Sequence, residues 1–358
     1  MSGCQSTGRA GPAHPRRRAG SDSLTSVESG LEFEIRRFEA SHIADAARLF
    51  AQMYDGARQK LPLLPEHEDV EAFTAAKLEG ISRNPGFVAL DGGNLVGYMV
   101  ELFTNDSFMS RPTGFVIELF PFAAVGPCRD RICQLLYQAM ARSWIERGLH
   151  AHQISFFASD DDLAFAFYRL GFGMTHFQLF RDLTPPAGKI QDVEIRYLEN
   201  EDDLREIERE HRGFYPNPPL LWIPHGYLED GGDPGESRPD RIRSGEVEVI
   251  AAVVDGQVAA YFDLSRGTAE TELFVAAGNG QIKGAYGRPE YRGRGIGKAL
   301  LGEAVRWARH HDLDRLYVEG ESANIYGGNF WLSHFRPAEY SVRRCVDDRV
   351  RASMFTEE

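Results

Sequence analysis

An internal repeat constrains this chain more than any other feature. Glu34-Ile35-Arg36 returns as Glu194-Ile195-Arg196, 160 residues later, and each triplet precedes an acidic amphipathic stretch with helical spacing. Leu90-Asp91-Gly92 with Tyr98 is matched by Val254-Asp255-Gly256 with Tyr261, apolar runs around an Asp-Gly turn that predict a β-hairpin in both places. Phe167 to Phe172 is matched by Phe330 to Phe335 at an offset of 163, a helix end running into a last strand. Three matches in one order predict a duplication, and 358 residues give each copy the length of an ordinary single domain.

Short apolar runs alternate with helical stretches from Phe33 onward, so both copies read as mixed α/β. The predicted organisation is a disordered basic tail over 1–30, a first domain over 31–183, a linker over 184–192 and a second domain over 193–352. Thr184-Pro185-Pro186-Ala187-Gly188 fixes the boundary, because neither a helix nor a central strand tolerates that run.

Charge and cysteine content narrow the partners. The formal net charge of −13 repels phosphate backbones and anionic lipid, so neither nucleic acid nor a membrane is expected as a partner. No apolar run approaches the length of a spanning helix. Cys4, Cys128, Cys133 and Cys345 form neither a disulfide framework nor a zinc-ligand spacing, so a cytoplasmic protein without a metal is expected.

The chemistry concentrates in Arg292-Gly293-Arg294-Gly295-Ile296-Gly297-Lys298, between a strand-like run ending at Gly287 and an amphipathic helix. That helix carries Ile296, Leu300, Leu301, Ala304, Val305 and Ala308 on one stripe. The three glycines let the backbone turn with no Cβ in the way, so amides at the positive helix end can converge on an anion. Arg292, Arg294 and Lys298 add cations in an acidic protein, which points to a ligand with several phosphates. Position 300 is leucine and no Gly-x-x-x-x-Gly-Lys-Ser/Thr occurs, so the dinucleotide and NTPase loops do not fit.

Arg292, Gly295 and Gly297 in this strand–loop–helix setting resemble the central Arg/Gln-x-x-Gly-x-Gly/Ala motif of the GCN5-related N-acetyltransferases (GNAT). Asn324 and Phe330 are similar to that family's late helix, and the tandem arrangement resembles enzymes of the mycothiol synthase type. The resemblance implies two tandem GNAT-like domains, each a mostly antiparallel sheet with a central splayed parallel strand pair and flanking helices. It further implies acetyl-CoA as acyl donor, held by Ala285, Gly287, Arg292, Gly293, Arg294, Gly295, Ile296, Gly297, Lys298, Asn324, Phe330 and Trp331. Trp331 stands where the family usually carries a tyrosine acid, and an indole has no proton to give at neutral pH. Glu319 and Glu272 are then the candidate bases, and Tyr326 the substitute acid.

In the first copy Cys128-Arg129-Asp130-Arg131-Ile132-Cys133 stands against Arg292 to Gly297, with no glycine, so this copy is expected to keep the fold and lose the cofactor. Tyr168 there reads as a packed aromatic, and His211 and His225 as surface histidines. The run from Gly213 to Asp240, with Tyr215, Trp222, Tyr227, Glu229, Asp230 and Asp233, has the composition to attract a cationic amine. The expected activity is acetyl transfer to the amine of a small molecule, by a monomer or homodimer. The alternatives are a CoA-binding scaffold without turnover and transfer to a protein or peptide amine.

Overall fold

A computed structural model describes residues 24–25, 33–188, 190–198, 202–214, 242, 244–267 and 273–355. The Gly213 to Asp240 run, with His225, lies outside the described residues beyond Phe214, and so does the expected basic tail except at Leu24–Thr25. Those two residues form a short strand, β1, paired with β2.

The first copy runs β2 (Glu34–Arg37), α1 (Ile43–Lys60), α2 (Val70–Ile81), β3 (Gly86–Asp91), β4 (Asn94–Val100), β5 (Phe103–Asn105), β6 (Thr113–Val116) and β7 (Phe122–Ala124). It continues through α3 (Arg129–Glu146), β8 (Ala151–Phe157), α4 (Asp161–Arg169) and β9 (Gly173–Asp182). The second copy runs β10 (Glu194–Leu198), α5 (Asp202–Phe214), β11 (Glu248–Val254), β12 (Gln257–Arg266) and β13 (Asn279–Gly287). Then follow α6 (Ile296–His310), β14 (Arg315–Glu321), α7 (Ile325–His334), β15 (Arg336–Cys345) and α8 (Arg349–Phe355). The two Asp-Gly sequences form the tight turns of the β3–β4 and β11–β12 hairpins; Gly92, Asp255 and Gly256 all take positive φ.

The copies interlock through their last strands. A ten-stranded sheet has the order β10-β11-β12-β13-β14-β9-β15-β8-β6-β5, and a second sheet joins β1-β2-β3-β4-β7. Strand β9, which closes the first copy in sequence, pairs with β14 of the second, while β15 pairs with β8 of the first. The two also pair with each other at the centre of the sheet. Each copy therefore completes its sheet with the other's final strand.

In the second copy β13 runs parallel to β14 from Asn279 to Ile282 and then parts from it, while β12 stays paired to β13 as far as Gly287. Among the described residues this splay leaves one backbone edge of β13 without a paired strand beyond Ile282. The corresponding stretch of the first copy is broken: β6 pairs with β8, β7 pairs with β4, and Glu118 and Leu119 between them take φ of +65°. Leu119 and Phe120 from the break are buried in the first copy's core beside Tyr98.

Helix α6 covers one face of the second copy's strands. Its predicted stripe, together with Trp307, packs on Ile250, Phe262, Leu264, Ile282, Leu316 and Val318. Burial of each large apolar side chain there contributes about 1.5–3 kcal/mol. On the opposite face α5 packs Ile207 against Leu198, Val249 and Tyr261.

Candidate functional site: a cavity at the glycine loop

The loop between β13 and α6 is shaped by its glycines. Gly293 and Gly295 lie at φ of +73° and +84°, a region open to glycine and strained for other residues, and Gly295 is the N-cap of α6. The cap has no side chain to hydrogen-bond the first amides of the helix. Gly297 answers a different demand, since a Cβ there would stand 3.2 Å from the ring of Phe330. The linker runs alongside: a Cβ on Gly295 would meet Gln191 at 3.5 Å and one on Gly188 would meet the Lys298 Nζ at 3.1 Å.

Beside this loop is a cavity of about 500 Å³, within the size range of small-molecule and cofactor pockets. Its described lining includes Ala285, Gly287, Arg292, Gly293, Gly295, Ile296, Gly297, Lys298, Asn324, Phe330 and Trp331, all read from the sequence as cofactor residues. Arg294 is not in this wall; its guanidinium lies over the ring of Tyr291 at 5.5 Å. No aspartate or glutamate is among the described lining residues, while Arg292, Lys298, His211 and His334 are, so the wall opposes the charge of the chain.

The aromatic side of the cavity encloses Arg292. Its guanidinium sits 4.6 Å from the centroid of Tyr326, 5.5 Å from Phe214 and 5.8 Å from Tyr286, and its Nε donates to the Gly287 carbonyl at 2.9 Å. The arginine thereby ties the loop to the end of β13. Asn324 caps α7, its side chain accepting from the Gly327 amide at 2.9 Å. Trp331 is buried among Phe262, Phe330 and Phe335, so its indole is a packing group at the cavity floor. Burial, with the charges of Arg181 and Lys298 next in order, holds His334 below the usual histidine range.

The candidate acid–base residues separate. Tyr326 lines the cavity mouth and is exposed. Glu319 does not line it: on β14 it shares a face with Tyr317, which packs toward the first copy, and it accepts from Tyr317 Oη and, at 3.2 Å, from Gln178 Nε2. Glu272 lies outside the described residues. Across β9 from Glu319 lies Glu339 of β15, a carboxyl that burial chiefly, and the charges of Glu319 and Glu118 further, raise to about 7. Its Oε1 accepts from Ser341 at 3.2 Å. No sequence signal marked Glu339, because its burial follows from the exchanged strand.

Two readings of single residues are corrected. His211 is no surface histidine: it is only 6% exposed, lies 2.7 Å through Nδ1 from the Tyr261 hydroxyl and stacks on Tyr286 at 5.1 Å. Tyr168 is not packed but 73% exposed, because its side of α4 faces away from the core built by Leu163, Ala166 and Phe167. The cavity residues not read from the sequence are aromatic or small, among them Phe214, Tyr286, Tyr291 and Ala259. Among the described residues no three His, Cys, Asp or Glu side chains gather closely enough to hold a metal ion, and no helix is long and apolar enough to cross a membrane.

A splayed parallel strand pair thus runs into a glycine loop at a helix N-terminus, beside a cavity lined by cations. Residues 204–334, within the second copy, match the model of the acetyltransferase (GNAT) family. Among solved structures, the chain is similar to a GCN5-related N-acetyltransferase from Sphaerobacter thermophilus. The identity is 16%, over 87% of this chain and 95% of that one, with a TM-score of 0.52. It is also similar to a tandem GNAT protein from the clavulanic acid biosynthesis pathway, at 15% identity over 88% of this chain and 98% of that one, with a TM-score of 0.46. At such identities the likeness is one of fold. No curated protein sequence matches the chain.

Proposed function

We propose that this protein is an acetyl-CoA-dependent N-acetyltransferase whose second copy holds the donor and passes its acetyl group to the amine of a small molecule. One observation carries the reading: the cavity pairs uncapped amides at the α6 N-terminus with a lining of cations and no described carboxylate. The residues fit the donor, since the positions nearest the helix end are glycines, and a Cβ at Gly297 would crowd Phe330. The amides from Gly293 to Lys298 would hold a pyrophosphate, with the Lys298 ammonium beside it. The open edge of β13 from Lys283 to Gly287 offers backbone groups to an extended amide-bearing arm. Acetyl-CoA supplies an activated acyl thioester. Tyr326, exposed at the mouth, has a hydroxyl to give a proton to the departing thiolate.

Trp331 favours a second reading, a CoA-binding module without turnover, because a buried indole replaces the family's usual acid. The test is release of free thiol from acetyl-CoA on addition of primary amines, alongside calorimetric titration of acetyl-CoA into the full chain. Binding with amine-dependent thiol release is expected. Binding with no release from any amine leaves the module, and absence of binding defeats both readings.

A further inference from the structure

Amine transfer requires a group that removes a proton from the acceptor ammonium, and the glycine-loop cavity offers few. Among its described lining residues only His211 and His334 are side chains that ordinarily exchange a proton near neutral pH. His334 sits at the loop end, its ring 4.8 Å from Phe330, where burial first, and Arg181 and Lys298 next, oppose its protonation. His211 occupies the other wall, stacked on Tyr286 of the splayed strand with the rings 20° from parallel.

We propose that His211, held in place by Tyr261, is the general base of this site. The inference rests on the acetyltransferase reading and adds to it the residue that takes the proton. Tyr261 is fully buried on β12, directly across the strand pair from Tyr286, so its hydroxyl cannot swing away from the His211 Nδ1. That bond fixes the plane of the imidazole in both protonation states. The Nδ1 hydrogen donates to the phenol oxygen in the neutral ring and in the imidazolium alike, so the proton is taken at Nε2.

Several described groups surround the ring. Tyr261 faces it from β12 and Tyr286 from β13, with the Arg292 guanidinium near the Tyr286 ring. On its own helix, Glu210 and Glu206 are paired with the buried Arg288, at 3.1 and 3.4 Å. The adjacent carboxylates are engaged by Arg288. In the step proposed, an ammonium proton passes to the imidazole and the freed lone pair forms the N–C bond to the acetyl carbonyl. The C–S bond breaks and the thiolate keeps its electron pair; the second proton that the nitrogen sheds in becoming the amide goes to solvent, the sulfur takes one from the Tyr326 hydroxyl, which recovers it from solvent, and the imidazolium returns the one it holds to solvent.

The experiment uses the full chain, H211Q and Y261F, with tyramine, spermidine and glucosamine as acceptors and histidine NMR of the acetyl-CoA complex. For H211Q we expect acetyl-CoA binding within about threefold of wild type, kcat/KM lower by about 10²-fold or more, and loss of the acid limb of its pH profile. Y261F should lose about tenfold and displace that limb. An imidazole resonance missing from H211Q should titrate with the midpoint of the limb. The proposal is overturned if H211Q keeps rate and limb, or if that resonance does not titrate between about pH 5 and 8. The resonance decides even where no chosen amine is accepted. Failure of wild type to bind acetyl-CoA defeats the acetyltransferase reading instead, and the isotherm reports that separately.

Discussion

The same stretch of chain is a loop in one copy and a helix in the other. In the second copy Arg292 to Gly295 turns on two left-handed glycines before α6 begins at Ile296. In the first, α3 begins at Arg129, so the residues standing against the glycines already form its opening turn. The gap next to that turn is bridged: Arg129 reaches Asp160, the N-cap of α4, at 2.9 Å and Asp162 at 2.6 Å. Asn324 is the N-cap at the matching place in the second copy, and there the cavity lies open beside it. One copy thus spends these positions on an anion cradle and the other on an ion-paired helix junction. Backbone conformation separates the two before any side-chain chemistry does, because a loop built on positive φ cannot be filled by ordinary residues.

The sharpest way to break this comparison is Gly295→Glu. It forces a side chain into the left-handed region and a carboxylate against the amides. Calorimetric titration of acetyl-CoA should show one site in the wild type and a loss of at least about 100-fold in affinity in the variant, equivalent to ~2.7 kcal/mol. A site of undiminished affinity in the variant would mean that the first copy binds the donor, and the contrast would fall.

How much of this was legible depends on how local the cause is. The α6 stripe, the two Asp-Gly hairpins and the glycine loop are written in short windows and are found where those windows place them. The exchange of β9 and β15 is not, because either strand presents a usable edge and alternating faces, and the choice of partner is made across the whole chain. His211 fails for the same reason. Its partner Tyr261 lies 50 residues further on, and nothing beside it in sequence forecasts burial. Glu319 was read for its place at the end of a strand, but a strand turns alternate residues to opposite faces, and sequence alone does not say which face meets the cavity.

The exchanged strand leads to a second, smaller effect. Glu339 has a folded pKa of about 7 against an ordinary 4.5, so its neutral form favours the folded state. Its contribution is complete below the ordinary value and is lost as pH rises through about 7, which costs up to ~3 kcal/mol at alkaline pH. Glu339→Gln should therefore gain stability over wild type in urea unfolding at pH 8 and show little gain at pH 4.5. A pH-independent difference would place the carboxyl in contact with solvent and remove the argument for a tightly closed seam between the copies.

The smallest effect tests the other side of the comparison. Arg129→Ala removes the bridge from α3 to the N-terminus of α4 while leaving Asp160 to cap that helix through the Leu163 amide. The pair is partly exposed, so the loss should be about 1 kcal/mol or less, read as a small fall in the urea midpoint. Acetyl-CoA stoichiometry should stay at one, because removing the arginine leaves the first turn of α3 helical and its break at Leu119 and Phe120 buried in the core. A second weak site appearing in the variant would show that the ion pair, and not the backbone, keeps the first copy closed. The difference between the copies would then lie in three side chains instead of in the path of the chain.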